Sequence, residues 1–285
     1  MVDQAAASAG SAAVSGTGLS GLRVAVFGLG EAGSAIAADL VAAGADVRGY
    51  DPADVAVVDG VRRVGDPRDA VDDAALVMAI TAAADAMGAL DQAFEALPAA
   101  VIYADLSTSS ARRKQQLAAR ARGRELAFVD VALMSTVPGK GLSTPSLAAG
   151  PGAADYVALL DQAGVRVDAV GPDAGAAATR KLLRSIVMKG LAGLVIESMR
   201  AAHAAGLAAE TWANLVGQFG EMDEDFLRQL VTGTAAHANR RLDEMEAAAE
   251  LLHELGLAPI MTSGTVENLR RIPDEGLPPL PGAPR

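Results

Sequence analysis

A short apolar run that ends in closely spaced glycines constrains the fold of this chain more than any other feature. Residues 23–33 read RVAVFGLGEAG, in which Gly28, Gly30 and Gly33 follow a strand-like run and open an alanine-rich helical pattern. This spacing permits a tight turn, a close approach to the backbone and close packing of the helix on the strand. The start of the helix then offers unpaired N–H groups and a positive dipole end to an anion. The motif therefore predicts a strand–turn–helix unit that holds a phosphate.

A carboxylate after the next predicted strand extends this site to a dinucleotide. The run Asp46–Tyr50 ends at Asp51, about 20 residues beyond the glycines, where a carboxylate accepts hydrogen bonds from the adenosine ribose and repels a 2′-phosphate. We therefore expect NAD or NADP as cofactor, with NAD favoured; Arg48, Arg62 and Arg63 leave NADP open. The alternative is a glycine-rich turn without a ligand, in which Asp51 only starts a loop. The residues expected to contact the cofactor are Gly28, Leu29, Gly30, Glu31, Ala32, Gly33, Asp51, Thr81 and Ser107.

The remaining pattern predicts an α/β domain followed by an all-helical one. Up to about Gly171, short apolar runs alternate with helical stretches, which is typical of a doubly wound, mainly parallel Rossmann sheet. The segments beyond are helical and begin with one long helix from about Gly175 to Ala205. The expected organisation is a disordered tail over 1–20, a dinucleotide-binding domain over 21–172, a helical substrate and dimerisation domain over 173–272 and a Pro-rich tail over 273–285.

The individual elements follow from local periodicity. Strands are predicted at Arg23–Phe27, Asp46–Tyr50, Leu76–Thr81, Val101–Ala104, Ala127–Met134, Ser146–Ala149 and Val165–Val170. Helices of the first domain are predicted at Ala32–Ala43, Ala84–Leu97, Ser109–Arg122 and Ala153–Ala163. After the long helix, further helices are predicted at Ala209–Gly217, Asp223–Leu230, Ala235–Leu255 and Ser263–Arg271.

Composition argues against several classes of protein. The net charge of −11 argues against a general nucleic-acid binder, and the absence of cysteine excludes disulfides and thiolate chemistry. We expect no metal, because the acidic run at Glu221–Phe226 is typical of a helix start. The basic helix at 111–124 is interpreted as a solvated face. Without a signal peptide or a membrane-length apolar run, the protein is expected to be soluble, cytoplasmic and not bound to a membrane.

A group that transfers a proton must come from the chain, because the dinucleotide supplies only hydride. The three histidines lie beyond residue 200, and no tyrosine has a lysine four residues on. A lysine or a carboxylate therefore remains. In the long helix Lys181, Arg184 and Ser185 share one face and Lys189 lies at its flank. Because an unpaired buried ammonium is costly, this stripe is expected to line a cavity or face a polar ligand; an exposed surface stripe is the alternative.

These segments together resemble the β-hydroxyacid dehydrogenases related to 6-phosphogluconate dehydrogenase. VFGLGEAGSAIA resembles the family fingerprint, ADLSTSS over 104–110 resembles the segment near the nicotinamide, and GAAATRKLLRS resembles the start of the helix that carries the catalytic lysine. The resemblance covers about 22–272. It implies that Lys181 is the general acid and base, and that two helical domains interlock into a homodimer. The apolar runs Ala192–Ile196 and Leu251–Leu255 would find their cover in such a dimer.

The chain departs from this family where the substrate would bind. The family's Asp-x-Pro-Val-Ser-Gly-Gly loop appears here as Asp130 followed by VALMST, and the two asparagines after the lysine become Arg184 and Ser185. This pattern looks like a divergent branch with a 6-phosphogluconate dehydrogenase-like C-terminal domain. For the hydroxyl groups, local backbone bonding is the alternative to ligand binding. The residues expected to contact a small, anionic substrate are Met134, Ser135, Thr136, Arg184, Ser185 and Lys189.

Three functions remain open at this point. The first is an NAD(P)-dependent oxidoreductase acting on a small β-hydroxy acid or a related alcohol or carbonyl. The second is an imine reductase-like enzyme, which shares the two-domain architecture; such enzymes usually lack the helix lysine, so Lys181 counts against it. The third is a nucleotide-binding protein without catalysis, which an intact Lys181 disfavours.

Overall fold

The computed structural model describes residues 18–56, 58–99 and 101–281. Most of the disordered tail predicted over 1–20 lies outside the described residues. The chain forms two compact units, Met1–Arg184 and Ser185–Arg285. The division falls within one long helix, whose first turns belong to the first unit.

The first unit is built on one eight-stranded sheet. The strands follow the order β3-β2-β1-β4-β5-β6-β7-β8, and every neighbouring pair is parallel except β6 and β7. This order places β1, which the glycine turn follows, between β2 and β4, as in doubly wound dinucleotide folds. The strands are β1 (Arg23–Phe27), β2 (Asp46–Tyr50), β3 (Arg62–Arg63), β4 (Leu76–Ala79), β5 (Ile102–Asp105), β6 (Ala127–Leu133), β7 (Ser146–Ala149) and β8 (Val167–Ala169).

Helices cover both faces of this sheet because its strands are apolar on both sides. In β1, Val24 and Val26 join the buried cluster on one face, while Ala25 and Phe27 join the cluster on the other. Such two-sided burial is typical of parallel sheets. The helices of this unit, in chain order, are α1 (Glu31–Ala42), α2 (Pro67–Val71), α3 (Ala86–Ala93), α4 (Ala111–Arg122) and α5 (Ala153–Asp161).

The second unit is helical throughout its described residues. Helix α6 (Ala176–Ala204) runs into it from the first unit, and α7 (Ala208–Gly220), α8 (Glu224–Ala236), α9 (Ala238–Glu254) and α10 (Ile260–Glu275) follow. Leu252 of α9 and Val266 and Leu269 of α10 form its small buried core. Helices α7 and α8 contain no buried residue.

A carboxylate of α6 caps the start of α10. Glu197 accepts hydrogen bonds from the N–H groups of Met261 and Thr262, at 2.9 and 2.8 Å, and from the Thr262 hydroxyl at 2.7 Å. These bonds satisfy donors that a helix start otherwise leaves unpaired. Burial acts to raise the pKa of Glu197, but the hydrogen bonds from Thr262 and Met261 outweigh it, so the pKa lies below its ordinary value.

The predicted fold class is confirmed, with local corrections. Strand β3 and helix α2 were not predicted; each is too short to show a periodicity. Helix α10 continues through Pro273 to Glu275, into the segment interpreted as a Pro-rich tail. The solvated face predicted for the basic helix α4 is wrong at Lys114, whose side chain is 1% exposed.

Candidate functional site

The glycine turn after β1 has the geometry that its sequence predicts. Gly28 has a φ of +88°, and a Cβ there would lie 2.3 Å from the carbonyl oxygen of Ile80. A Cβ on Gly33 would lie 1.9 Å from the carbonyl oxygen of Gly28, so α1 packs directly on the turn. A Cβ on Gly30, in contrast, would meet no heavy atom within 4 Å. The two outer glycines are therefore required by the fold, whereas Gly30 borders open space.

The open space beside Gly30 is a cleft with the features of an anion and nucleotide site. No side chain caps the start of α1, and the cleft has a volume of about 440 Å³. Thr81 lines it, and the hydroxyl oxygen of this residue is buried without a hydrogen-bond partner. A buried hydroxyl of this kind and an uncapped helix start fit a bound dinucleotide, whose phosphates accept hydrogen bonds. Gly28, Gly30, Asp51 and Thr81 line the cleft. The first turn of α1 brings Glu31 and Ala32 to this end of the helix.

Asp51 lies at the end of β2, where the ribose of a dinucleotide would be read. Its carboxylate accepts hydrogen bonds from the N–H of Leu29 at 2.7 Å and of Ala53 at 2.9 Å. These bonds fix the carboxylate against the glycine turn. The Leu29 side chain itself is buried in the core, so only its backbone can contribute to the site.

Two of the three arginines near Asp51 donate hydrogen bonds to backbone carbonyl oxygens. The guanidinium of Arg63 donates to the carbonyl oxygens of Ala53 at 2.6 Å and Val55 at 3.0 Å. Arg48 is buried and donates to the carbonyl oxygen of Asp69 at 2.8 Å. Arg62 is exposed on β3. Two of the three side chains that could read a 2′-phosphate therefore already bind carbonyl oxygens.

The predicted cofactor and substrate segments lie along one edge of the sheet. Strands β1, β4, β5 and β6 are parallel neighbours, so the residues that follow them emerge at the same edge. With about 4.8 Å between neighbouring strands, β1 and β6 lie about 14 Å apart, which is comparable to the length of a dinucleotide. Ligands of doubly wound sheets bind at this carboxyl edge. The edge thus runs from the glycine turn through Thr81 and Ser107 to Met134.

Lys181 meets this edge at the end of β5. It is half-buried in the second turn of α6, and its ammonium donates to the hydroxyl oxygen of Thr108 at 2.9 Å. Ser107, the predicted contact, is buried and bonds Asp105 at 2.9 Å and Ser109 at 2.8 Å. The exposed hydroxyl beside Lys181 is therefore that of Thr108, which sequence reasoning missed although it lies within the motif.

The predicted substrate segment lies next to Arg184. The guanidinium of Arg184 donates to the carbonyl oxygen of Met134. Ser135 accepts a hydrogen bond of 2.7 Å from the ammonium of Lys140, and Thr136 is exposed. Lys140 was not predicted, and its position five residues beyond the serine gave no signal. Two cations, Arg184 and Lys140, thus bond to the loop at Met134–Ser135.

Two predicted substrate contacts belong to the second unit. Ser185 is half-buried and Lys189 is exposed on α6. The structure therefore brings Lys181, Arg184 and Met134–Thr136 together within the first unit, but does not add Ser185 and Lys189 to that group.

Two phenols of the first unit are unsuited to proton exchange near neutral pH. Burial raises the pKa of Tyr103, with a further contribution from Asp105, and burial alone raises that of Tyr156. Both phenols are therefore held neutral. Residues 1–184 contain no histidine. Lys181 is a half-buried cation beside an exposed hydroxyl, which makes it the candidate group for proton transfer.

Residues 18–56, 58–99 and 101–281 contain neither a metal-binding cluster nor a membrane-spanning helix. No cluster of three or more His, Asp or Glu side chains there is arranged to hold a metal ion. No helix in the same ranges is both long and apolar enough to cross a membrane.

Two family models match separate parts of the chain. Residues 23–161 match the family model described as the NAD binding domain of 6-phosphogluconate dehydrogenase. Residues 202–272 match a domain of unknown function, DUF1932. The match to the first model includes the glycine turn and β1 to β7.

Similar proteins agree on the fold. An uncharacterized 28.5 kDa protein of Methanothermus fervidus is 28% identical over 171 residues; the match covers 60% of this chain and 66% of that protein, just under two thirds of its length. A conserved protein of unknown function, described as structurally similar to 3-hydroxyacid dehydrogenases, is 25% identical with a TM-score of 0.56, over 89% of this chain and 97% of that one. Streptomyces aurantiacus imine reductase is 24% identical with a TM-score of 0.75, over 89% and 95%.

Proposed function

We propose that the chain is an NAD(P)-dependent oxidoreductase with Lys181 as its general acid and base; residues 23–161 match the NAD binding domain of 6-phosphogluconate dehydrogenase, and residues 202–272 match DUF1932. The observation that carries this proposal is the hydrogen bond from Lys181 to Thr108, at the edge of the sheet that also carries the glycine turn. The proposed substrate is a small β-hydroxy acid or a related alcohol or carbonyl compound.

Lys181 has the position and chemistry for proton transfer. The dinucleotide, when bound, donates or accepts the hydride. In the reducing direction, the Lys181 ammonium gives a proton to the carbonyl oxygen of the substrate while the carbonyl carbon receives the hydride, and water then reprotonates the amine. In the oxidising direction, the neutral amine accepts the alcohol proton. Thr108 holds the Lys181 ammonium at the edge of the sheet through its hydroxyl.

The cations around the substrate loop favour an anionic substrate. Arg184 and Lys140 both bond to Met134–Thr136, and their partners there are a carbonyl oxygen and a hydroxyl, neither of which carries a charge. A carboxylate or phosphate of the substrate would form charge-assisted hydrogen bonds with both. The exposed hydroxyl of Thr136 would add a neutral donor. We propose this loop as the site of the substrate's anionic group, with Ser185 and Lys189 as further candidates.

NAD is the cofactor that the ribose end of the cleft favours. The carboxylate of Asp51 is fixed by two backbone N–H groups, so it cannot easily turn away from a 2′-phosphate. Arg48 and Arg63, two of the three nearby arginines, are held by carbonyl oxygens, whereas Arg62 is exposed. Repulsion from Asp51 would weaken the binding of NADP.

Imine reduction is the second candidate. It is favoured by the fold shared with Streptomyces aurantiacus imine reductase and by Arg184 and Ser185, which replace the asparagines expected of a hydroxyacid dehydrogenase. Lys181 is compatible with this reaction only if its ammonium protonates the imine nitrogen. Both candidates use the same dinucleotide cleft, so they differ only in the bond that is reduced.

A second copy of the chain is the proposed partner. Helices α7 and α8 carry the large apolar side chains Trp212, Val216, Leu227 and Leu230, yet contain no buried residue. Helices with an apolar stripe are ordinarily stabilised by burying it, and an exposed set of this size marks an interaction surface. Because the chain resembles a family of dimers, we propose that a second copy of the chain buries these side chains.

A cofactor-coupled screen tests the proposed function. Purified protein is assayed with NAD and NADP, oxidised and reduced, against hydroxy acids, aldehydes, keto acids and cyclic imines, while the absorbance at the reduced nicotinamide band is followed. Turnover of a hydroxy acid or keto acid is the expected result. Turnover restricted to imines would establish the second candidate instead. Cofactor binding without turnover of any class would indicate a nucleotide-binding protein without catalysis and overturn the proposal.

A further inference from the structure

Three charged side chains, Lys114, Asp105 and Asp130, form a buried ionic network. Lys114 of α4 lies 2.8 Å from a carboxylate oxygen of Asp105 and 3.3 Å from one of Asp130. All three side chains are at most 1% exposed. The Lys114 ammonium also donates to the carbonyl oxygen of Asp105 at 2.7 Å. Buried charges of this kind persist only when each is paired, so the geometry of this network is tightly specified.

At one end of this network, Asp130 holds the start of the helix that carries Lys181. The second carboxylate oxygen of Asp130 accepts hydrogen bonds from the N–H groups of Gly175 and Ala178, each at 3.0 Å. These donors belong to the residue that precedes α6 and to its first turn. Lys181 lies three residues beyond Ala178, less than one turn away, so its place follows directly from that anchorage.

The other end holds the segment that carries Thr108. Asp105 accepts the hydroxyl of Ser107 at 2.9 Å, and Ser107 in turn bonds the hydroxyl of Ser109 at 2.8 Å. The residues on both sides of Thr108 are therefore tied to Asp105. Because Lys181 donates to Thr108, the contacts close a ring that runs from Lys114 through both carboxylates to the Lys181–Thr108 pair.

The charges of the three buried side chains, Lys114, Asp105 and Asp130, indicate which of them connects the network to α6. Two carboxylates and one ammonium leave one negative charge in excess. The start of α6, with its two N–H donors and the positive end of its dipole, lies on Asp130 and offsets that charge. Asp105 and Lys114 form a balanced pair without Asp130. Asp105 and Lys114 therefore do not need the charge of Asp130 for their own pairing. That charge serves to hold the start of α6.

We propose that Lys114 and Asp130 are positioning residues, which act through the start of α6 and the segment 105–109 to fix the Lys181 ammonium beside Thr108. The inference deepens the proposed function, because it specifies how the proton-transfer group is held. Neither residue touches the substrate or the cofactor in this account. Their removal changes the position of Lys181 and leaves the glycine turn and Asp51 intact.

Lysine NMR tests this proposal without a substrate. The chain has four lysines, Lys114, Lys140, Lys181 and Lys189, so the Cε signals of a protein labelled with 13C-lysine can each be assigned by substitution. In Asp130→Asn the Lys181 signal is expected to move toward that of the exposed Lys189. The Lys114 signal should stay displaced, because its pair with Asp105 remains, and this displacement reports a folded core.

A second variant, a matched control and a substitute variant complete the set. Thr108→Val removes the acceptor at an exposed position and defines the direction in which the Lys181 signal moves when its hydrogen bond is lost. The matched control is Asp39→Asn: Asp39 also accepts a backbone N–H, from Leu142 at 2.8 Å, but belongs to α1. This control should leave the Lys181 signal in place. If Asp130→Asn does not fold, Lys114→Arg keeps the buried charge, widens the gap between the carboxylates and should move the same signal.

The outcomes separate this proposal from the proposed function. An unchanged Lys181 signal in Asp130→Asn, or in Lys114→Arg where that variant replaces it, would overturn the positioning role, and so would an equal shift in Asp39→Asn. NADH fluorescence titration of Asp130→Asn should give the wild-type affinity. With any substrate that supports turnover, kcat should fall about 10- to 100-fold at an unchanged KM for the dinucleotide. Failure of the wild type to bind NADH would contradict the proposed function alone, since the lysine signals require no cofactor.

Discussion

Substitution of Gly30 by alanine should separate cofactor binding from stability. Gly30 has a φ of −66° and a ψ of −167°, which alanine adopts without strain, and its Cβ would point into open space. Loss of a favourable glycine cap costs about 0.5–1 kcal/mol, and reduced freedom of the unfolded chain returns about as much. The melting temperature should therefore change by no more than about 2 °C. The new methyl group, however, occupies the space in which a pyrophosphate would approach the helix start.

The effect on binding can be worked out from linkage. NADH at 100 times its Kd stabilises a protein by about 2.7 kcal/mol, which corresponds to roughly 5–11 °C in a unit of this size. If the alanine weakens binding about 100-fold, the same NADH concentration gives about 0.4 kcal/mol, or roughly 1–2 °C. Differential scanning fluorimetry with and without NADH measures both quantities, and NADH fluorescence titration gives the Kd independently.

Gly33→Ala provides the matched contrast. Its Cβ would lie 1.9 Å from the carbonyl oxygen of Gly28, so backbone must move, at a cost of about 1–3 kcal/mol. The melting temperature without ligand should fall by roughly 2–12 °C. A full NADH-induced shift in Gly30→Ala would refute the reasoning, because the open space would then not be where the dinucleotide binds.

Three further predictions concern cofactor choice, pH and assembly. Asp51→Asn should raise the affinity for NADPH relative to NADH by about tenfold or more, since the charge that repels a 2′-phosphate is lost; equal ratios in fluorescence titrations would contradict it. Because the folded pKa of Glu197 lies below its ordinary value of 4.5, its stabilisation is present above that pH and is lost as the pH falls through the folded pKa. Glu197→Gln should accordingly flatten the decline of melting temperature below about pH 5, measured by circular dichroism, and an unchanged decline would count against this contribution. Light scattering at micromolar concentration should give a mass near twice 28.8 kDa, and a monomeric mass would contradict the homodimer.

The sequence was most informative about elements whose bounds are determined by neighbouring residues. The bounds of β1 and β2 were predicted correctly, because a short apolar run before the glycine turn and the apolar residues before Asp51 determine them locally. Helix α6 was predicted within one residue at each end, since its apolar and polar residues repeat over eight turns. Local pattern thus sufficed for the two strands beside the glycine turn and for the helix that bears Lys181.

Side-chain roles that depend on tertiary contacts could not be predicted. Lys114 belongs to a basic, periodic stretch, and its burial follows only from the carboxylates that β5 and β6 bring to it. The choice between Ser107 and Thr108 depends on which hydroxyl the strand end turns outward, and adjacent hydroxyls give no sequence signal for that. Lys140 contacts the loop at residues 134–136 only because the chain folds back on Ser135. In each case the deciding information is a distance in space rather than a spacing in sequence.

Lys181→Met tests the central claim most directly. Methionine keeps the apolar length of the side chain but removes the ammonium, and the control Arg180→Met removes a neighbouring exposed cation, which bonds only to the carbonyl oxygen of Ala176 among the contacts described. NADH affinity and turnover are measured on the same preparations, with the substrate that the screen identifies. The account predicts that Lys181→Met binds NADH like the wild type while kcat falls by about 10²–10⁴-fold, and that Arg180→Met retains its activity. Wild-type turnover by Lys181→Met would contradict it.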